Sequence, residues 1–121
     1  MDFTDINLYV FDESGKRHLI ANKICIADSI VSRLKGLMFQ KELKEMHAVL
    51  LHPCNSIHMF FMRFPIDVIY VDKNLTVVKT LKRIQPWRVD LGHRKAVYTI
   101  ELPAGTLTFE PKKIEITKNT F

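Results

Sequence analysis

Cysteine and glycine are scarce in this chain of 121 residues, which contains two cysteines and four glycines. The two cysteines, Cys25 and Cys54, are too few for the disulfide framework of a small secreted protein and allow at most one disulfide. The N-terminal residues contain no basic segment followed by a long apolar one, so no export signal is evident. No apolar run approaches the roughly 20 residues that span a bilayer. These absences predict a soluble, cytoplasmic protein without a membrane span.

The charged residues are distributed unevenly along the chain. Residues 79–95 contain six basic residues against the single acid Asp90, and this excess accounts for the whole formal net charge of +5. A local basic surface of this kind faces an anion, a nucleic acid backbone, an acidic partner or only solvent. Apolar residues make up 47% of the composition, which is enough for a core, and no linker or repeat is visible. A single domain over residues 1–121, which folds without a metal, is therefore predicted.

The longest apolar stretch lies at residues 53–72 and includes most of the side chains capable of unusual chemistry. β-Branched and aromatic residues dominate it and Phe64-Pro65 interrupts it, which predicts two strands, at 57–62 and 66–71. Because both faces of these strands are largely apolar, we expect them to lie inside a sheet that is covered on each side.

The rest of the chain predicts further strands and little helix. Strands are expected at 6–11 and 17–27, joined as a hairpin, and at 48–51, 75–84, 96–102 and 114–117, with a polar loop at 85–95. Asp28 or Ser29 can cap a short helix that ends near Gly36, and residues 41–46 can form another helical turn. The predicted fold is α+β and mainly β, with a mixed or antiparallel, barrel-like sheet and one or two short helices.

Four motifs, in this order, resemble those of a prokaryotic family known as domain of unknown function 192. They are Gly36-Leu37-Met38-Phe39; Phe61-Met62 leading into Pro65-Ile66-Asp67-Val68-Ile69; Pro86-Trp87-Arg88; and Glu101-Leu102-Pro103-Ala104-Gly105. The resemblance covers about residues 28–111. Gln40 and Met59 depart from it, since arginine and threonine are expected at these positions. The resemblance implies a small β-rich fold with a helix near the first motif, and it brings no established activity.

Three residues with metal-binding or nucleophilic side chains, His52, Cys54 and His58, share parity, so on a continuous strand they would point to one face. Imidazole and thiolate groups bind zinc, and Asp67 on the next strand can complete a set of four, although the spacing matches no established zinc motif. Cys54 can instead be a nucleophile with either histidine as its base. A small buried cysteine and hydrogen-bonded histidines explain the same pattern, so no metal or cofactor is predicted. A metal- or cysteine-dependent hydrolase is the alternative function.

Two carboxylates stand out because of their apolar surroundings. Asp67 lies between apolar residues of a predicted strand, where a carboxylate needs a partner. Arg63 or Arg88 can supply a bidentate ion pair that fixes the loop geometry. Glu101 lies at the end of another strand and can accept hydrogen bonds from loop amides, and the two carboxylates can also act together as acid and base.

The polar and amphipathic residues nearest the apolar centre form the predicted ligand-binding site: His58, Arg63, Asp67, Trp87, Arg88 and Glu101. They favour a binding domain for a polar or anionic group, carried by a small molecule or a protein partner. Trp87 within the basic stretch leaves nucleic acid as a second alternative, because bases stack on aromatic rings while cations follow the phosphates. Whether the protein is an enzyme is left open by the sequence.

Overall fold

The computed structural model describes residues 2–28 and 40–118, and within these ranges all the regular structure is β-strand. The strands of this described part are β1 (Thr4–Phe11), β2 (Arg17–Ala27), β3 (His47–Leu51), β4 (Ile57–His58), β5 (Ile66–Val71), β6 (Val77–Ile84), β7 (Val89–Asp90), β8 (Tyr98–Pro103) and β9 (Lys113–Lys118). Their sequences are rich in isoleucine, valine and threonine, whose branched side chains fit a pleated surface.

Seven of these strands form one mixed sheet in the order β6-β5-β8-β3-β2-β1-β9, and β4 pairs with β7 in a separate two-stranded sheet. Strands β2 and β3 are parallel, whereas the other neighbours in the large sheet are antiparallel. The outer strands β6 and β9 approach each other at an isolated bridge between Thr76 and Lys113. A closed barrel would need a continuous ladder between these two strands, so the sheet is open.

The predicted hairpin between β1 and β2 is confirmed, and Asp12 explains its turn. The Asp12 carboxylate accepts hydrogen bonds from the backbone N–H groups of Ser14 and Lys16, at 2.8 and 3.0 Å. The N–H of Gly15 donates to the Asp12 carbonyl at 3.0 Å. An aspartate that binds the amides following it stabilises a tight turn, so the local sequence sets the register of β1 against β2.

Each face of the large sheet carries an apolar cluster, because alternate residues of a strand point to opposite sides. All six residues of β5 are buried, as expected for a strand covered on both faces. On one face Val49, Val68 and Tyr70 pack against Ile57, Met59 and Met62 from the small sheet and the turn after it. We call residues 57–62 and 87–90 the cover. On the other face Ile69 and Ile100 pack against Leu107, in the segment after β8.

The prediction of an α+β fold with a barrel-like sheet is wrong, because the fold is all-β and the sheet is open. Residues 41–46, predicted as a helical turn, form irregular structure with Leu43 buried in the core. Burial of this one apolar side chain holds the segment in place, so the segment does not need a helix with a row of apolar residues on one face. The short helix predicted from residue 28 or 29 falls largely on residues 29–39, which lie outside the described part of the chain. Among the described residues, no helix is long and apolar enough to cross a membrane.

Gly92 allows the chain to pass unusually close to the loop that precedes the cover. A Cβ atom built on Gly92 would lie 1.6 Å from the carbonyl oxygen of Asn55 and 3.0 Å from the Tyr70 ring. Its φ angle of +68° is also one that residues with side chains rarely adopt. The hydrogen bond from the N–H of His93 to the Asn55 carbonyl, at 3.1 Å, holds the two segments together.

We therefore expect Gly92→Ala to lower the free energy of unfolding by about 3 kcal/mol or more, measured by urea denaturation. Gly15→Ala is the matched control, because Gly15 also has a positive φ, of +85°, but no atom lies within 4 Å of its added Cβ. The control should lose about 1–2 kcal/mol, the cost of the left-handed conformation alone. Equal losses in the two variants would show that the contact with Asn55 does not restrict residue 92.

Candidate functional site

The cover consists of two short segments that pair edge to edge. Strand β4 is antiparallel to β7, with Ile57 opposite Asp90 and His58 opposite Val89. Ile57 points inward to the apolar cluster, whereas His58 and Val89 are exposed on the other side. The small sheet therefore has an inner side, which completes the core, and an outer side that faces solvent.

Backbone hydrogen bonds extend this pairing beyond the two strands. The N–H of Met59 donates to the Arg88 carbonyl, and the N–H of Trp87 donates to the Met59 carbonyl, both at 2.7 Å. The chain then reverses, with the N–H of Met62 donating to the same carbonyl at 3.2 Å. The strand predicted at 57–62 thus ends at His58, because residues 59–62 form a turn whose two methionines are buried and whose two phenylalanines are exposed.

Exposed apolar side chains are concentrated on the outer side of the cover and just beyond it. Large apolar residues with high exposure here are Phe60 (40%), Phe61 (45%), Trp87 (58%), Val89 (57%) and Leu91 (88%). Three others are exposed elsewhere in the described residues, and they lie on β2 and β9. The Trp87 ring centroid lies 4.9 Å from that of Phe61 and 6.0 Å from that of Phe60. We call these five residues the outer apolar surface.

Two of these aromatic residues have a backbone conformation that is unfavourable for bulky side chains. The φ angle is 64° at Phe61 and 69° at Trp87, in the left-handed region. Such a conformation costs of the order of 1–3 kcal/mol and persists only where the surrounding structure imposes it. Here the hydrogen bonds to Met59 impose it on Trp87, and the cover consequently presents Trp87 and Phe61 to solvent side by side.

Unpaired cations accompany the outer apolar surface. Arg63 and Arg88 are exposed, and neither forms an ion pair within the described part of the chain. His58 is exposed on the same side of the cover as Val89, with its ring centroid 4.9 Å from that of Phe60, and its Nδ1 accepts a hydrogen bond from the Phe60 N–H at 3.3 Å. These residues combine apolar contact area with positive charge.

Asp67 is buried away from this surface, and backbone amides satisfy its carboxylate. Oδ1 accepts from the N–H of Arg83 at 2.9 Å, and Oδ2 accepts from those of Gly105 and Leu107 at 3.1 and 2.9 Å. The expected ion pair with Arg63 or Arg88 is not found among the described contacts. The carboxylate instead joins β5 to an irregularity in β6, where Arg83 has a φ of 54°, and to the turn after β8.

Glu101 lies on the opposite face of the large sheet from Asp67. On β8 it is paired with Val49 of β3 on one side and with Val68 of β5 on the other, so its side chain enters the apolar cluster beneath the cover. The carboxylate is mostly buried and makes no hydrogen bond or ion pair within the described structure. Burial raises the pKa of Glu101 to about 7. Expected hydrogen bonds from loop amides are absent from these contacts.

Tyr70 lies diagonally across from Glu101 on the same face. It is paired with Thr99, two residues from Glu101 along β8. Its hydroxyl is buried next to the Asp90 carboxylate, but it forms no hydrogen bond of normal geometry with any described residue. Burial raises the pKa of the Tyr70 hydroxyl, and the neighbouring Asp90 carboxylate raises it further.

Asp90 is held by two donors. Lys79 Nζ lies 3.1 Å from both Asp90 oxygens, and the Gly92 N–H donates to one of them at 2.8 Å. Burial opposes ionisation, but these interactions, together with that of the adjacent Tyr70 hydroxyl, outweigh it and lower the pKa of Asp90. Lys79 and Asp90 therefore neutralise each other at the inner side of the cover. The Lys79 ammonium is consequently paired with Asp90 and does not add to the unpaired positive charge of the surface.

The remaining candidates for chemistry lie apart from one another. The buried Cys54 thiol donates to the Ser56 carbonyl at 3.1 Å, and the His52 ring stacks on Tyr98 with centroids 4.6 Å apart. No group of three or more His, Cys, Asp or Glu side chains in residues 2–28 and 40–118 is placed to hold one metal ion. The candidate set of His52, Cys54, His58 and Asp67 is thus not assembled in this structure.

The structure separates the six residues of the predicted ligand-binding site. His58, Trp87 and Arg88 lie together on the cover, and Arg63 follows it directly in the chain, whereas Asp67 and Glu101 lie on opposite faces of the large sheet. Phe60 and Phe61 were not among the predicted site residues, because the predicted strand at 57–62 would lie inside a covered sheet, and Tyr70 was not among them either. The run Met59-Phe60-Phe61-Met62 carries no local signal for the turn, because the burial of its methionines and the exposure of its phenylalanines depend on tertiary contacts.

Comparison with known proteins identifies the family. Residues 10–116 match the model of DUF192, a family described as an uncharacterized ACR. The chain belongs to the DUF192 family. This confirms the resemblance predicted from the four motifs.

Similar proteins, named UPF0127, occur in Pyrococcus and Thermococcus species. A UPF0127 protein of Pyrococcus horikoshii is 40% identical over 86 residues, which cover 69% of this chain and 74% of the relative. A UPF0127 protein of Thermococcus sibiricus is 37% identical over 91 residues, which cover 72% of this chain but 58% of the relative. This DUF192 chain therefore matches less than two thirds of the length of the Thermococcus protein.

Two crystal structures share the DUF192 fold. A protein of Sinorhizobium meliloti 1021, provisionally described as a transcription regulator, has a TM-score of 0.79 at 20% identity, with 95% of each chain covered. A protein of unknown function from Novosphingobium aromaticivorans has a TM-score of 0.76 at 23% identity, with 90% of this chain and 83% of that chain covered. At these identities the similarity shows the fold alone.

The hydrogen bonds of Asp67 predict a large cost for Asp67→Asn. The side-chain amide keeps one acceptor oxygen, so at least one of the three backbone N–H groups would face an NH₂ group instead of an oxygen. We expect the free energy of unfolding to fall by about 3 kcal/mol, measured by urea denaturation. Asp72→Asn is the control, because Asp72 binds the amides of Asn74 and Thr76 through one oxygen, which asparagine retains. A comparable loss in both variants would contradict a special role of Asp67.

The raised pKa of Glu101 predicts a pH-dependent cost to the fold. Because the pKa is about 7 in the folded state and about 4.5 in the unfolded chain, the folded state binds more protons between these values. The free energy of unfolding of wild type should therefore fall, relative to Glu101→Gln, by about 3 kcal/mol as the pH rises from about 4.5 to about 7, and stay constant above. Urea denaturation across this pH range measures the difference.

Glu45→Gln is the matched control for this experiment, because Glu45 is exposed. Its stability difference from wild type should change little over the same pH range. If the difference between wild type and Glu101→Gln were also independent of pH, Glu101 would not be destabilised by burial.

Proposed function

We propose that this domain is a binding module whose outer apolar surface accepts an acidic, apolar segment of a protein partner. The observation that carries the proposal is the concentration of exposed apolar side chains on the cover. Five of the eight large hydrophobic residues that are exposed in the described part of the chain lie in the outer apolar surface. Contiguous exposed apolar groups with polar residues around them are typical of protein interaction sites.

The types of residue support a protein interface. Tryptophan and arginine are the residues that most often dominate the binding energy of interfaces, and Trp87 and Arg88 are adjacent here. Phe61 lies against Trp87, so a partner side chain can contact two rings at once. The cost of holding Phe61 and Trp87 in the left-handed conformation indicates that these rings are positioned before binding.

The charges favour an acidic partner. Arg63 follows the cover in the chain and Arg88 lies within it; both are exposed and make no ion pair in the described structure, so their guanidinium groups are available for carboxylates. Arg94 and Lys95 are exposed shortly after Leu91 and add to the positive potential. This part of the predicted binding site, with His58, Arg63, Trp87 and Arg88, supports recognition of an anionic group.

A protein segment fits this surface better than single-stranded nucleic acid does. Bases need aromatic faces on which to stack, but the rings of Phe61 and Trp87 meet at 60° and partly cover each other. Val89 and Leu91 extend the surface with aliphatic groups, which contribute to protein contacts and offer no stacking face.

Selection from a random peptide library on the wild-type domain, with counter-selection on Trp87→Ala, tests the proposal. We expect selected peptides to combine large apolar residues with aspartate or glutamate. Trp87 is the only tryptophan in the chain, so its fluorescence reports binding of a selected synthetic peptide directly. Phe61→Ala and Arg88→Glu should each weaken this binding at least about tenfold, or 1.4 kcal/mol.

Two variants with exposed residues outside the cover serve as controls. Ile26→Ala removes an exposed aliphatic residue from β2, and Arg17→Glu reverses a charge on the same strand. Both should bind the peptide as wild type does. Basic rather than acidic selected peptides, or equal losses in the control variants, would overturn the proposal. If a single-stranded oligonucleotide or anionic vesicles bound at Trp87 more tightly than every selected peptide, we would conclude that this surface binds nucleic acid or a membrane and not a protein.

A further inference from the structure

Residues 89–91 of the cover have a polarity opposite to that expected at a protein surface. Val89 and Leu91 are among the most exposed apolar residues of the described chain, at 57% and 88%, whereas the Asp90 side chain between them is only 15% exposed. The acid therefore points inward and its two apolar neighbours point outward. The local sequence alone favours the reverse, since apolar side chains gain free energy on burial and a carboxylate loses its hydration.

Contacts from outside the small sheet hold Asp90 in this inward position. Lys79 Nζ lies 3.1 Å from both carboxylate oxygens, and the N–H of Gly92 donates to Oδ2 at 2.8 Å. The Tyr70 hydroxyl lies next to the same carboxylate. Of these groups only Lys79 carries a positive charge, and it belongs to β6 of the large sheet. Its ammonium also donates to the Gly92 carbonyl at 3.4 Å, so it binds residues 90 and 92 together.

The charge of Lys79 decides which side of residues 89–91 faces inward. Without this cation an ionised carboxylate at the inner side of the cover would be unpaired, which is unfavourable in apolar surroundings. Turning Asp90 to solvent relieves that cost. Because the side-chain period of a strand is two, the same turn removes Val89 and Leu91 from the outer side. Two arrangements of this segment therefore compete, and the ion pair selects the one with the apolar residues outward.

We propose that Lys79 and Asp90 form a latch that switches the outer apolar surface between a binding arrangement and a closed arrangement. The binding arrangement is the one in this structure. In the closed arrangement Asp90 faces solvent, and Val89 and Leu91 turn to the inner side of the cover. This inference rests on the proposed function, because it describes the regulation of the same surface. A partner that contacts Val89 and Leu91 stabilises the binding arrangement, since a ligand shifts an equilibrium towards the state that it binds.

A second lysine of β6 provides the matched control. Lys82 Nζ lies 3.2 Å from the Glu110 carboxylate, but both side chains are well exposed, at 43% and 55%. Glu110 belongs to the segment between β8 and β9 and not to the cover. Removal of the Lys82 ammonium leaves no buried charge, so residues 89–91 should be unaffected.

Methyl NMR with a soluble gadolinium chelate tests the latch without any partner. The chelate broadens the signals of exposed methyl groups, so those of Val89 and Leu91 should be strongly broadened in wild type. We expect this broadening to fall at least about twofold in Lys79→Met, which removes the ammonium and keeps an apolar side chain. Lys82→Met should leave it unchanged. The exposed methyl groups of Ile26, outside the cover, are the internal reference in every variant.

The double variant Lys79→Met/Asp90→Asn separates the charge from other effects of the substitution. Asparagine brings no buried charge and keeps one oxygen for the Gly92 N–H, so the broadening at Val89 and Leu91 should return to that of wild type. A loss of packing at residue 79 would not be restored in this way. If Lys79→Met does not fold, Lys79→Gln gives the same comparison, because glutamine also removes the charge.

The same variants are then titrated with a peptide selected on the wild-type domain, with Trp87 fluorescence as the readout. We expect Lys79→Met to bind at least about tenfold more weakly, the double variant to bind within about threefold of wild type, and Lys82→Met to bind as wild type does.

Unchanged broadening in Lys79→Met, or no recovery in the double variant, would overturn the latch even if peptides bind. If the methyl results are as expected but no peptide is selected, the proposed function fails and the conformational switch stands.

Discussion

The need to satisfy a buried carboxylate is the constraint on which this part of the structure depends. Asp67 lies within β5, a strand that is buried on both faces, and its two oxygens accept from three backbone amides. These amides belong to β6 and to the turn after β8, so one side chain holds together segments distant in the sequence. Without the carboxylate, the amides of Gly105 and Leu107 would lose their acceptor, at a cost comparable to a large share of a small domain's stability.

Glu101 shows the opposite solution to the same constraint. It lies on the strand next to that of Asp67 but on the other face of the sheet. Glu101 is paired with Val68, and Asp67 and Val68 are consecutive residues of β5, so their side chains point to opposite faces. No amide of the described residues donates to it, so burial acts on its carboxyl group unopposed and raises the pKa of Glu101. Ionised Asp67 therefore stabilises the fold through its amides, whereas ionised Glu101 destabilises it.

Local sequence patterns predicted the strands well where short-range chemistry determines them. The turn at Asp12 and the one at Asp72 follow from side chains that bind the amides just after them, and both hairpins are found. Residues 57–62 were predicted wrongly, because their β-forming residues are typical of a strand while tertiary contacts fold them into a turn. The segment that pairs with residues 57–58 is β7, which lies within a stretch predicted as a polar loop. A strand of two residues is too short to show an alternating pattern in the sequence.

The site was only partly predictable for the same reason. Asp67, Trp87, Arg88 and Glu101 are unusual in the sequence. Alternation along one strand shows which of its own residues share a face, but the register between two strands decides which residues of both lie on the same face of the sheet. The three hydrogen bonds of Asp67 come from backbone groups, which no side-chain pattern encodes. Tyr70 has the character of one more strand-forming aromatic residue in the sequence, because its burial next to Asp90 depends on how residues 90–92 fold over it.

The positive charge beside the outer apolar surface also determines what this surface avoids. Two copies of the chain that met through Phe60, Phe61 and Trp87 would bring their Arg63 and Arg88 side chains together, and like charges desolvated at close range oppose association. An acidic partner gains from the same charges. If the proposed function is right, the outer apolar surface can therefore expose five large apolar side chains and still discriminate against its own copies, because repulsion and attraction would arise from the same two arginines.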